Sequence, residues 1–194
     1  MNPPRIVLAS TSPYRAELLQ RIITDFEQIP PNTDEPDLPA ELPRARAARL
    51  AAVKAQAVTP NLHDALVIGS DQVAALGNEV LHKPGNTEKA REQLRSSSGK
   101  TVDFFTGLCL LDTRDGNRRT ALDHTRVIFR KLSDAEIDRY IARERPLDCA
   151  GSFKAEGAGI TLFELIDSTD PTALIGLPLI ALARMLREAG VVLP

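Results

Sequence analysis

Residues 65–70 read Ala-Leu-Val-Ile-Gly-Ser, an apolar and β-branched run with no polar residue alternating through it. Such a run reads as a strand buried on both faces, which requires a layer of structure on each side of its sheet. The neighbouring segments supply those layers. Arg5–Ala9 is a second short apolar run, ended by Ser10-Thr11-Ser12-Pro13. Ser12 suits a helix N-cap and Pro13 the first helical position, and Leu18, Leu19, Ile22 and Ile23 share one helical face, so a helix is predicted from about Pro13 to Ile23. Phe26–Ile29 is a candidate strand. The stretch from Pro30 to Pro43 also holds Pro31, Pro36 and Pro39 and is expected to be irregular.

Pro43 opens a helix whose apolar stripe is Ala47, Leu50, Val53 and Ala57, ending before Pro60. Beyond residue 70 the pattern predicts a hairpin of Val73–Leu76 and Glu79–His82 joined at Gly77-Asn78, then a polar helix over Thr87–Ser98 with Ala90 and Leu94 on its weak apolar face. A long hairpin of Thr101–Leu111 and Thr120–Phe129 turns around Asp115-Gly116, and Ser133 with Glu136 forms a capping box for a helix to about Glu144. A Gly-rich stretch from Gly151 to Gly159 precedes a strand at Ile160–Ile166, and Pro178 opens a last helix closed by Gly190. Hairpins interleaved with crossover helices give an α/β fold with a mixed sheet, and 194 residues suit one domain spanning 1–194.

Composition excludes several classes of function. Lys and Arg total 24 against 26 Asp and Glu, a formal net charge of −2 that offers no global field for a nucleic-acid backbone. Aromatic residues are 4% with no Trp, which argues against a base-stacking platform for a polymer. Cys109 and Cys149 show no CxxC spacing and read as small core residues in a reducing compartment. No run reaches the 18 apolar residues of a membrane span, and the N-terminus lacks a signal-peptide pattern, so a soluble, cytoplasmic protein is expected.

GxGxxG, GxxxxGK[ST], HExxH and GxSxG are all absent, and His63, His82 and His124 lack metal-ligand spacing. Three groups of residues could carry chemistry. Ser10-Thr11-Ser12-Pro13-Tyr14-Arg15 places hydroxyls, free backbone N–H groups and a guanidinium where a strand turns into a helix; the spacing serves a phosphate-receiving helix N-terminus and a plain well-capped helix alike. Asp71, expected just past the 65–70 strand, sits where α/β proteins place ligands, and it can hold a divalent cation, take a proton from water, or simply form a turn. Asp34-Glu35 in the Pro-rich stretch reads first as a solvated pair. Lys54, Lys83 and Lys154 are each an ordinary solvated cation, but with Arg15 and the carboxylates they match what Mg²⁺-assisted attack on a nucleotide phosphate requires.

Taken together, LASTSPYRAELL, Asp34-Glu35, GSDQV, HKP at 82–84, FFTGL at 104–108, CAGSFKAEG and GLPLIAL resemble, in order from about Ile6 to Leu186, the Maf family of nucleoside triphosphate pyrophosphatases. Within it the match is to the branch acting on 7-methyl-GTP, with the dTTP/UTP branch as the alternative and a non-enzymatic nucleotide-binding regulator of cell division as a reading from another class. The resemblance implies an α/β fold around an elongated, twisted mixed sheet flanked by helices, ITPase-like in type. It implies hydrolysis between the α- and β-phosphates with a divalent cation, Mg²⁺ or Mn²⁺. By position, it makes Asp71 the proton acceptor and places Ser10, Arg15, Lys54, Lys83 and Lys154 on the phosphates. Glu35 and Asp71 fall to the metal, and Tyr14, Gln72 and Glu156 to base preference. Its expected partner is a small-molecule nucleoside triphosphate rather than a nucleic acid polymer or a membrane, and a homodimer is implied by the resemblance alone. Tyr14 and Gln72 stand where the dTTP/UTP branch carries an Arg-type residue and a Thr, and Ala16 stands where a second basic residue is common.

Overall fold

The computed structural model describes residues 4–194. In chain order its strands are β1 (Arg5–Ala9), β2 (Glu27–Ile29), β3 (Ala65–Leu76), β4 (Glu79–Leu81), β5 (Thr101–Asp112), β6 (Arg118–Phe129) and β7 (Phe163–Asp167). Its helices are α1 (Pro13–Gln20), α2 (Pro43–Ala57), α3 (Thr87–Ser97), α4 (Asp134–Glu144) and α5 (Leu179–Glu188). The strands form one seven-stranded sheet ordered β2-β1-β3-β5-β6-β7, with β4 paired to β3. β1 runs parallel to β2 and β3, and every other pairing is antiparallel, so the sheet is mixed as expected. None of the helices among the described residues is long and apolar enough to cross a membrane.

The central strand departs from the sequence reading. β3 continues unbroken from Ala65 to Leu76 rather than stopping at Ser70, so Asp71 lies inside a strand and not beyond its end. The reason is β5, which pairs with β3 continuously from Leu66 to Ala75 and leaves no point at which the strand could stop. The opposite edge of β3 is shared: β1 pairs with it as far as Gly69, and β4 rejoins it only at Ala74. Two shorter departures concern ends. α1 stops at Gln20, with Ile22 and Ile23 following in a turn that still packs on the core. β7 starts at Phe163 because Ala158–Leu162 forms a 3-10 turn, in which Gly159 lies against the Lys154 backbone so closely that a Cβ would stand 2.3 Å from the Lys154 carbonyl oxygen.

Side chains alternate across the sheet. Leu66, Ile68, Leu108 and Leu110 face α1 and α5, while Val67, Cys109 and Leu111 face α2. Toward the far end Phe104, Phe129, Phe153 and Phe163 pack edge to face under α3 and α4. The capping box opening α4 is present, and the backbone and hydroxyl of Ser133, with Arg130, hold the Glu136 carboxyl down at about 2.

At two positions α2 meets the sheet with no strand side chain between them. Ala47, Ala51 and Ala55 recur every four residues along it, and opposite them the strands carry Gly107 and Gly69. A Cβ at Gly69 would fall 2.2 Å from the Ala51 carbonyl oxygen, and one at Gly107 would fall 2.3 Å from that of Ala47. Both clashes are with backbone, which cannot turn aside. Gly69→Ala and Gly107→Ala are each expected to lower unfolding free energy by at least about 1–3 kcal/mol, the usual penalty for overpacking, measured by denaturant titration.

Candidate functional site

β1 leaves the edge of β3 at Ala9 and β4 joins it at Ala74, so the edge between them borders a cleft of about 770 Å³. Cavities of several hundred Å³ are the size at which small-molecule sites are built. Asp71 lines it from the strand interior, 6% exposed, on the face covered by α2. Lys54, one turn beyond Leu50 on α2, is 8% exposed and meets Asp71 Oδ1 at 2.5 Å. Its ammonium also lies 2.8 Å from Glu35 Oε1. A buried ammonium is costly unless paired, and two carboxylates meet that condition here.

Glu35 reaches Lys54 because the Pro-rich segment is tied to α2. It is irregular, as expected, yet Arg46 bonds the Asp37 carboxylate and the Glu35 carbonyl (3.2 Å), and Arg49 bonds the Glu41 carboxylate (2.6 Å) and the Pro36 carbonyl (3.0 Å). Asp34 is exposed and does not line the cleft. Arg46, Leu50 and Lys54 all line the cleft at a spacing of four residues, one stripe of α2. That spacing was available in the sequence as the signal for Arg46, which the motif reading missed.

Ser10 is 3% exposed and its Oγ accepts from the Ser12 N–H at 3.1 Å, which leaves its own hydrogen for a ligand. Ser12 is the N-cap of α1, accepting from the Arg15 N–H at 3.3 Å. The Arg15 guanidinium donates through Nε to the Gly176 carbonyl at 2.8 Å. Burial pulls its pKa below the ordinary value, while the charges of Asp71 and Glu35 oppose the shift. Lys83 stands exposed on the rim after β4.

A second group gathers around Tyr14. The Tyr14 hydroxyl donates to Asp148 Oδ2 at 3.4 Å, and Asp148, Cys149 and Glu156 line the same part of the cleft. Burial, with the neighbouring Cys149 and Asp148, raises the Tyr14 pKa against the pull of Lys154, so the phenol stays neutral. Lys154 does not line the cleft; its ammonium lies 6.0 Å from the centre of the Tyr14 ring. Burial lowers its pKa, but Tyr14, Cys149 and Asp148 outweigh that and raise it, so Lys154 remains a cation. It is therefore placed beside the aromatic group rather than with Lys54. Gln72 also differs from expectation. Its amide nitrogen donates to the carbonyls of Ala173 and Leu174, both at 2.9 Å, and to Thr106 Oγ1 at 3.2 Å, so only its oxygen is left for a ligand.

Glu35 and Asp71 are the two carboxylates that could hold a metal, and their convergence on one ammonium marks a position where positive charge is already favoured. Hard carboxylate oxygens suit Mg²⁺ or Mn²⁺, which commonly bind one or two carboxylates and complete their shell with water and substrate phosphate. Among the described residues no group of three His, Cys, Asp or Glu is arranged to hold an ion.

An α/β sheet whose broken edge opens on a paired carboxylate and ammonium, with further cations and an unfilled hydroxyl, defines a protein built to receive a phosphate-bearing small molecule. The chain belongs to the Maf family: the family described as Maf-like protein matches residues 5–189. It is similar to proteins named 7-methyl-GTP pyrophosphatase in three bacteria. Identity is 56% to that of Xanthomonas campestris pv. campestris over 98% of this chain and 99% of that protein. It is 52% to that of Nitrosococcus oceani over 97% of this chain and 94% of that protein. The protein of Aromatoleum aromaticum is 53% identical over 100% of both. The solved structure of the Staphylococcus aureus Ham1 protein overlaps 64% of this chain and 71% of its own with a TM-score of 0.44 and 17% identity.

Burial, followed by the charge and hydrogen bond of Asp148, pushes the Cys149 thiol up to about 12. Burial disfavours the thiolate, so the reactive form is the scarcer one at every pH below that value. At pH 8 the thiolate fraction is on the order of 10⁻⁴, against about 0.2 for a free thiol. The native protein is expected to react with a disulfide reagent at least about a hundredfold more slowly than after unfolding, as followed by thiol titration with and without denaturant.

Proposed function

We propose that this protein hydrolyses 7-methyl-GTP to 7-methyl-GMP and diphosphate. The observation that carries the reading is the buried Lys54–Asp71 pair, joined by Glu35, in the cleft of a chain 52–56% identical to proteins named for that activity. Asp71 takes a proton from the attacking water, whose oxygen forms a bond to the α-phosphorus as the bond from that phosphorus to the α–β bridging oxygen breaks. Diphosphate leaves with the bridging oxygen. Arg15, Lys54 and Lys83 offset the phosphate charge, and the Ser10 hydroxyl donates to it. A divalent ion held by Glu35 and Asp71 supplies further charge neutralisation when bound.

The base preference rests on a different property. Methylation at N7 gives guanine a delocalised positive charge, which favours an aromatic face and nearby anions. Tyr14 provides the ring; Lys154 lies on one side of it, so the base takes the other. Asp148 and Glu156 place two carboxylates in that part of the cleft. Glu156 can accept from both the guanine N1–H and the exocyclic amine, and charge-assisted bonds of this kind are worth about 1.5–3 kcal/mol each.

Asp71→Asn is expected to lower turnover by about 10²–10⁴-fold with the fold retained by circular dichroism; near-normal activity removes Asp71 as the base. Chelator should abolish activity and Mg²⁺ or Mn²⁺ restore it, with diphosphate and not orthophosphate as the first product resolved by chromatography. Across a panel, 7-methyl-GTP should be cleaved faster than GTP, dTTP or UTP. Glu156→Gln should erode the preference over GTP by about tenfold while sparing pyrimidine triphosphates. Faster cleavage of dTTP or UTP by the unaltered protein would assign it to the pyrimidine branch instead.

A further inference from the structure

We propose that Asp170 is a positioning residue for this reaction, acting through the carbonyl of Gly176 to hold the Arg15 guanidinium toward the substrate; this rests on the reading of Arg15 as a phosphate ligand. Asp170 is 4% exposed and lies outside the cleft lining, more than 150 residues from Arg15 in sequence. Its surroundings explain what it does. The N-cap position of α5 is occupied by Pro178, which offers no side-chain cap. Asp170 fills that role from a distance, its Oδ2 accepting from the Ile180 N–H at 2.7 Å. Its Oδ1 accepts from the Thr172 N–H at 3.0 Å and the Thr172 hydroxyl at 2.5 Å, and Thr172 Oγ1 in turn accepts from the Leu179 N–H at 2.9 Å. A carboxylate at a helix N-terminus is also favoured by the helix dipole. Residues 170–180 are thereby closed into a loop fixed at both ends.

That loop presents its carbonyls to the underside of the catalytic strand. Ala173 accepts from Thr106 Oγ1 at 3.0 Å and from the Gln72 amide, and Gly176 accepts from Ser70 Oγ at 2.9 Å and Arg15 Nε at 2.8 Å. Gly176 has φ +124°, a conformation that glycine adopts readily and other residues rarely do, and a Cβ there would stand 3.4 Å from Arg15 Nε. Among the described residues this is the one hydrogen bond from the Arg15 side chain. With Nε committed, the planar guanidinium is fixed in rotation and its two terminal nitrogens are left for phosphate oxygens. An arginine held this way does not have to be ordered at each turnover.

The test is a double-mutant cycle on diphosphate release from 7-methyl-GTP with Arg15→Ala, Asp170→Asn and the pair. Asp170→Asn is expected to lower kcat about tenfold or more with KM changed less than about twofold, because small misplacement of a transition-state contact is costly. In the Arg15→Ala background the same change should cost less than about twofold. An equal loss in both backgrounds makes Asp170 a purely structural residue and overturns the proposal. Wild-type turnover by Arg15→Ala overturns the phosphate role of Arg15 itself, and the positioning role with it. Should Asp170→Asn fail to fold, Gly176→Ala leaves the Asp170 bonds in place and displaces the carbonyl; its loss is expected to depend on Arg15 in the same way, and a loss independent of Arg15 overturns the proposal.

Discussion

The contact on which the site depends is between backbones. Because Gly69 and Gly107 carry no side chain, α2 settles against β3 and β5 closely enough for its carbonyl oxygens to occupy the space where Cβ atoms would be. That approach brings Lys54 within 2.5 Å of Asp71 and keeps both nearly dry. Low solvation strengthens their attraction and equally makes either one costly alone. The tethering of the Pro-rich segment to α2 through Arg46 and Arg49 then delivers Glu35 to the same ammonium. One helix therefore sets the positions of three charged groups drawn from separate parts of the chain.

The cleft is lined by charges of both signs, Arg15, Arg46 and Lys54 with Glu35, Asp71, Asp148 and Glu156. Three of the carboxylates have an internal partner: Asp71 and Glu35 have Lys54, and Asp148 has the Tyr14 hydroxyl. The charges are held at defined positions before any ligand arrives, which is the arrangement that makes electrostatic stabilisation effective.

Most of the elements were legible in the sequence because their signals are local. Ser12-Pro13 marks the start of α1, the Ser133–Glu136 box opens α4, and Gly77-Asn78 turns the short hairpin. The errors fell where distant partners decide. Nothing within residues 66–75 reveals that β5 will run beside all of them, so the strand was expected to end before Asp71. Nine of the residues singled out through motif and resemblance line the cleft, but their surroundings were not legible. Lys154 lies beside Tyr14, and the Gln72 amide is spent on carbonyls about a hundred residues away. Arg46 was accessible through its spacing to Lys54, whereas Asp148 has no local signature.

The divided edge of β3 acts as a ruler. From Gly69, the last residue paired to β1, to Ala74, the first paired to β4, the strand advances five residues, or about 17 Å at ordinary strand rise. Both limits are fixed by hydrogen-bond register, the far one by a two-residue turn that aligns Leu76 with Glu79. Register changes that keep each side chain on its own face come only in pairs of residues. The mouth of the cleft can therefore widen or narrow only in steps of about 7 Å. Finer adjustment to differently shaped bases falls to the side chains and loops around it, while the strand bearing Asp71 keeps its place.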